Sequence, residues 1–184
     1  MRRFSLDPPE HAVPGASVYR DRWVNVRDLA VRSVISVEHQ YLDFHRYLLS
    51  GLRHTSAEFP ADPIPIGLSV RAGAIKTTLF LGASIAEAAL RAHAERRGYQ
   101  LPPNRKHRTM GKVLEAWCTA PDVPQPELAP IWNDLRELHD IRNNVHLYKA
   151  VQDGTSFYDF LDSEAHALTR IDVVLRHIQQ IVSP

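Results

Sequence analysis

The chain has one cysteine, Cys118, among its 184 residues. A single thiol cannot form a disulfide within the chain or build a cysteine-based metal site. Cys118 follows Val113, Leu114 and Trp117 at helical spacing, so we expect a small buried hydrophobic residue rather than a reactive thiol. Because disulfides belong to oxidising compartments, their absence favours a cytoplasmic protein.

A strong net charge and long apolar runs are also missing. The formal net charge is +1, so no global field draws this chain to nucleic acid, and RNA binding would need a local patch. No stretch reaches the roughly 18 apolar residues that a membrane helix needs. The best candidate, Leu79 to Leu90, is short and contains Glu87. Nothing at the N-terminus has the pattern of a signal peptide. We therefore expect no membrane association.

Sequence motifs for cofactors are absent as well. The chain has no glycine-rich phosphate loop, no nucleophile elbow and no zincin pair. His139 and His146 lie seven positions apart, whereas metal ligands on a helix more often pair at three or four. We therefore predict neither a cofactor nor a metal ion.

Apolar residues recur at three- and four-residue steps along most of the chain, which predicts an all-α fold. We expect an antiparallel bundle of four main helices plus one short helix, without strands of useful length. The predicted helices cover residues 22–52, 68–97, 109–119, 126–149 and 155–182, the third being the short one. Residues 1–20 are predicted to be a flexible N-terminal arm, and residues 21–184 a single domain.

Two of these helices have compositions that suggest their packing. Small residues crowd positions 82–89 of the second helix, so another helix can approach it closely and we expect it to be central. The first helix is defined by a periodic apolar series that contains Val34, Val37, Tyr41, Phe44 and Leu48. We expect the aromatic residues of that region, Trp23, Tyr41, Phe44 and Tyr47, to lie in the core.

The fourth helix places two polar residues on its apolar face. At 100° per residue, Leu128, Ile131, Leu135, Leu138 and Val145 form one stripe, and Arg142 and His146 point into its middle. His139 and Asn143 lie on its flank. An unpaired polar group in a core is costly, so the pair requires an explanation. It lines a cleft, lies at a subunit interface, or forms a structural network with an acid such as Glu87 or Asp140.

The one dense basic run is Arg105-Lys106-His107-Arg108, in the loop between the second and third helices. Such runs are most often solvated surface. The functional alternative is contact with the RNA backbone through Arg105, Lys106 and Arg108.

The run from Leu135 to His146 resembles the signature helix of HEPN domains, helical bundles found in prokaryotic toxin–antitoxin, abortive-infection and CRISPR-associated proteins. The quoted element is Arg142-Asn143-Asn144-Val145-His146. Residues 74–91 resemble the first core helix of the family, with Glu87 where an acid is common, and residues 110–115 resemble the short helix that follows. The resemblance spans about residues 68–182. The spacing between Arg142 and His146 is shorter than that of the nuclease-type motif.

This resemblance implies a metal-independent endoribonuclease, or an RNA-binding subunit of a toxin or defence system, that acts as a homodimer. Arg142 would stabilise charge on the phosphate and His146 would act as general acid–base. Asn143 and Glu87 would orient this pair. His146-Leu147-Tyr148 matches a toxin subgroup in which a partner nucleotidyltransferase, the antitoxin, modifies the tyrosine, so Tyr148 is a candidate modification site. The alternative is a noncatalytic helical module for dimerisation or partner docking.

Overall fold

The computed structural model describes residues 13–51, 68–143 and 164–182. This part of the chain is mostly α-helical, which confirms the predicted fold class; the four-helix antiparallel arrangement stays a prediction. Its helices are α1 (Ala16–Arg22), α2 (Leu29–Gly51), α3 (Leu68–Arg97), α4 (Met110–Ala116), α5 (Trp132–Asn143) and α6 (Glu164–Gln180).

The first predicted helix is two helices, and the first begins inside the predicted arm. Residues 16–20 are helical, and Tyr19 is fully buried with its hydroxyl donating to Asp43 Oδ2 on α2 at 2.7 Å. That burial is why the arm prediction is wrong for these residues. α2 begins after Asp28, whose Oδ1 accepts from the backbone N–H groups of Ala30 and Val31 at 2.9 and 3.0 Å. This side-chain cap satisfies donors that the first helical turn leaves unpaired.

α3 is the central helix, as the small residues predicted. It packs against α2, α4, α5 and α6. A Cβ on Gly82 would lie 2.8 Å from Ile171 Cγ2 on α6, so only glycine permits this approach. The helix ends at Arg97, and Gly98 follows with φ +69°, the left-handed conformation that favours glycine after a helix. Its predicted bounds are confirmed.

A short hairpin follows α4, where the sequence predicts the end of the helix over residues 109–119 and no strand. β1 (Cys118–Ala120) pairs antiparallel with β2 (Val123–Pro124), and the turn contains Asp122 at φ 58°. Proline has no backbone N–H group to donate to the ladder, so within a sheet it fits only at the edge. Cys118 is therefore in a strand and half-buried, not buried on a helix.

The fourth predicted helix begins later than expected and buries the expected stripe. A 3-10 turn at Ala129–Ile131 precedes α5, which starts at Trp132 because two prolines interrupt residues 126–130. Four apolar residues of the predicted stripe are buried: Leu128, Ile131, Leu135 and Leu138. Val145 lies outside the described residues. Against this face α6 packs a further apolar series that includes Ile171, Val174 and Ile178.

Two of the aromatic residues expected in the core are exposed instead. Trp23 is fully buried and Tyr47 is half-buried, but Tyr41 and Phe44 keep 49 % and 38 % of their surface in contact with solvent. The reason is that α2 turns a different face inward, with Ile35, Leu42 and Leu49 in the core.

α3 also bears on membrane association. By length and composition alone, Val70–Arg97 is long and apolar enough to cross a bilayer. The candidate considered from the sequence, Leu79–Leu90, was too short for this. However, 56 % of its most apolar window is buried inside the protein. Burial to this extent is typical of the core helix of a folded domain.

Candidate functional site

An ion pair joins Arg142 and Glu87, two of the four residues predicted for the catalytic site. The Arg142 Nη1 at the end of α5 contacts Glu87 Oε2 in the middle of α3. Glu87 is only 8 % exposed, and the Arg142 side chain keeps 27 % of its surface. A carboxylate buried to this degree needs a countercharge, and the guanidinium provides it. Of the three explanations for Arg142, the network with Glu87 is present in the structure.

Both partners are further held by their surroundings. Glu87 is held by its burial in the middle of α3, and the Arg142 Cζ lies 5.7 Å from the centre of the Phe80 ring. At this distance the ring face attracts the cation. Burial lowers the pKa of Arg142 from its ordinary value, but that value is so high that the guanidinium stays charged at neutral pH. The pair is therefore neutral as a whole, and its guanidinium is held in place beside the cavity.

Arg142 and Glu87 line a cavity of about 440 Å³ into which the basic run also projects. Asn143 lines it too, as do Arg105, Lys106 and Arg108. The described residues proposed for catalysis and those proposed for RNA contact thus meet at one place. Because α5 is distant in sequence from α3 and from the segment before α4, only the folded chain brings the three together.

The basic run Arg105–Arg108 has a defined backbone conformation. A 3-10 turn covers Arg105–His107, and Asn104 Oδ1 accepts from the Lys106 backbone N–H at 3.0 Å. Arg108 is anchored, since its Nε donates to the Pro102 carbonyl at 2.7 Å and its Nη1 contacts Glu95. Arg105 and Lys106 are exposed and have no carboxylate partner within the described part of the chain. These two side chains are available for an external anion.

Four more residues line this cavity that were not predicted as site residues: Phe80, Arg91, Thr109 and Met110. Arg91 lies four positions after Glu87, and Phe80 lies seven before it, so both share its face of α3. That helical spacing is the signal that could have found them. Arg91 adds a fifth cation, whereas Glu87 is the only carboxylate among the described lining residues.

Asn143 links the cavity to its neighbour. Its Nδ2 donates to His139 Nε2 at 3.0 Å, so the neutral imidazole carries its proton on Nδ1, which lies 3.3 Å from Asp140 Oδ1. His139 itself lines a second cavity of about 540 Å³, together with Trp132 and Arg136. A Cβ on Gly111 would lie 3.0 Å from His139 Nε2, so the glycine leaves room for this ring.

The described part of the cavity can bind an anion, because it combines fixed guanidinium groups with exposed cationic side chains. The predicted general acid–base, His146, and the predicted modification site, Tyr148, lie outside the described residues. Their position relative to Arg142 stays a prediction.

Comparison with models of known protein families, with curated proteins and with solved structures finds no match to this chain. Membership of the HEPN family therefore stays a prediction.

Proposed function

We propose that this protein binds RNA through the cavity at Arg142, as a HEPN-like toxin or defence subunit of the cytoplasm that acts as a homodimer. The observation that supports the proposal is the convergence of five cations, with Glu87 as the single carboxylate, on one cavity of about 440 Å³. Phosphate oxygens of a single strand suit this arrangement, because guanidinium groups bind them in a bidentate manner.

Within this proposal the cations have different tasks. Arg105 and Lys106 are exposed and make the first contact with the RNA backbone. Arg142, fixed by Glu87, meets the phosphate deeper in the cavity and stabilises its developing charge. Asn143 supplies a neutral donor beside it.

Metal-independent cleavage requires a group that moves protons, and we assign this task to His146. In such a reaction a base removes the proton from the ribose 2′-OH, the resulting oxygen attacks the adjacent phosphorus, and the 5′-oxygen leaves with a proton. Histidine suits both steps near neutral pH. Tyr148 is the proposed site at which a nucleotidyltransferase-type antitoxin would modify and silence the protein.

RNA binding is tested by fluorescence anisotropy with a labelled single-stranded RNA of mixed sequence. We expect Arg105→Ala/Lys106→Ala to weaken binding at least about tenfold and to lower the slope of log K against log salt concentration by about 1.4, since two phosphate contacts to a single strand are lost. The matched control is Lys112→Ala/Arg136→Ala, which removes the same two residue types from exposed positions outside this cavity. Equal losses in both double variants would overturn the proposed site.

Cleavage is tested separately, in the presence of a metal chelator. His146→Ala, with folding verified by circular dichroism, should lose cleavage and keep RNA binding. If cleavage is unchanged in this variant, His146 has no part in the chemistry and the nuclease half of the proposal fails.

A noncatalytic module for dimerisation or partner docking is the second candidate. It is favoured by the fact that Glu87 of the same chain already neutralises Arg142, as in a structural ion pair. If the folded wild-type protein neither binds nor cleaves RNA, the noncatalytic module is the better proposal.

A further inference from the structure

α2 has a second apolar face, and that face is turned to solvent. Its inner face supplies Ile35, Leu42 and Leu49 to the core. Five other large apolar residues of this helix are between 38 % and 61 % exposed. They are Val34, Val37, Tyr41, Phe44 and Leu48, which we call the outer stripe. Single exposed apolar residues are common, but a continuous row of five marks an interaction surface.

The spacing of the outer stripe is that of a two-helix seam. Its members follow one another at steps of three, four, three and four, which is the alternation of the a and d positions of a heptad. Among the e and g positions that flank the stripe between residues 33 and 47, Glu38 is the only Asp, Glu, Lys or Arg. Interface centres are likewise poor in charged residues.

We infer that a second copy of this chain covers the outer stripe, with the two α2 helices crossing antiparallel about a two-fold axis. A heptad seam meshes best with another heptad seam, and a second copy always provides one. The occupant is therefore a helix with the same stripe.

The antiparallel direction follows from a gradient of side-chain size. The small residues Val34 and Val37 lie toward the N-terminus of the stripe, and Phe44 and Leu48 toward its C-terminus. A parallel pair would set small against small and large against large, so the helices would splay apart. An antiparallel pair sets Val37 of one copy against Leu48 of the other, and Tyr41 against Phe44, which keeps the separation even. Antiparallel macrodipoles also attract each other weakly.

The size of the surface predicts how tightly the copies bind. The five side chains expose roughly 400 Å² per copy, a large patch for a monomer. With flanking groups, two copies would bury about 1,000 Å², the lower end for specific interfaces. We therefore expect a dimer that dissociates at micromolar concentration.

This interface names the face through which the copies of the proposed homodimer meet, but it does not depend on RNA chemistry. No residue of α2 is among the described residues that line the Arg142 cavity. A failure of RNA binding would leave the interface untouched, and a failure of dimerisation would leave the cation cluster untouched.

Sedimentation velocity of the full chain, from about 1 to about 100 µM, tests the interface. The wild type should shift from monomer to dimer across this range. Val37→Lys should raise the dissociation constant at least about tenfold, because a charge would be buried in the seam. The matched control is Val173→Lys on α6, since Val173 is 46 % exposed and Val37 53 %; it should behave like the wild type.

Two results would overturn the inference. One is a wild-type protein that stays monomeric at every concentration. This result includes the case in which another part of the same chain covers the outer stripe, so that Val37→Lys lowers the melting temperature. The other is a dimer that Val37→Lys leaves intact, since that dimer uses a different face.

Disulfide cross-linking tests the direction of the helices. In a Cys118→Ser background, Val37→Cys mixed with Leu48→Cys should give a cross-linked dimer, whereas Val37→Cys alone should not. Cross-linking of Val37→Cys with itself would contradict the antiparallel pairing.

Discussion

Glu87 on α3 is neutralised by Arg142 at the end of α5, and this contact joins two helices that are distant in sequence. Because Glu87 is almost fully buried, removing its partner leaves a charge without solvent or counterion. The stability of the domain and the charge of the cavity therefore depend on the same pair.

Arg142→Leu should lower the free energy of unfolding by about 2 to 3 kcal/mol, slightly below the usual cost of orphaning a buried charge because Arg142 is partly exposed. Urea denaturation measures the loss. In Glu87→Leu/Arg142→Leu both charges are gone, and the unfolding free energy should return to within about 1 kcal/mol of wild type. A more stable Arg142→Leu would show that the pair is not a structural requirement.

Arg91→Ala should weaken RNA binding several-fold without unfolding the protein, since Arg91 is a half-buried lining residue that adds positive charge to the cavity. Anisotropy titration at two salt concentrations measures the change. Arg136→Ala, on α5 and outside this cavity, serves as the control. Identical affinities for the two variants would remove Arg91 from the site.

Two glycines of α3 should respond oppositely to alanine. Gly82→Ala should destabilise the protein by about 1 to 3 kcal/mol, because its Cβ would overlap Ile171. A Cβ on Gly73 would meet nothing within 4 Å, so Gly73→Ala should stabilise the helix by up to about 1 kcal/mol. Thermal or urea unfolding gives both values. If Gly82→Ala is neutral, α3 and α6 are not packed as closely as described.

The stability of the domain should fall as the pH falls from about 6.5 toward 4. Burial, followed by the nearby Arg97, lowers the pKa of His93 to about 4. In the unfolded chain the same imidazole titrates near 6.5, so below that pH the unfolded state binds more protons and is favoured. The loss attributable to His93 is on the order of 3 kcal/mol at pH 4.

This pH dependence is measured by urea unfolding at a series of pH values. His93→Gln should flatten the profile between about pH 6.5 and 4. His107→Gln, at an exposed position, should leave it unchanged. An unaltered slope in His93→Gln would mean that other groups control acid unfolding.

Features that depend on nearby residues could be predicted from the amino-acid sequence. The bounds of α3 follow from unbroken helical periodicity and from Gly98, whose left-handed conformation ends the helix. The position of Arg142 next to the buried stripe of Leu135 and Leu138 follows from the helical repeat. The hairpin after α4 was missed because two or three residues are too few to show strand alternation.

The packing of the helices selects Glu87 from several acids as the partner of Arg142, and it turns the basic run before α4 toward the same cavity. It also decided which apolar face of α2 is inside. The periodic series with Tyr41 and Phe44 and the series with Ile35 and Leu42 are both compatible with a core. The choice depends on which face α3 can reach, and that is a property of packing between distant segments rather than of local sequence.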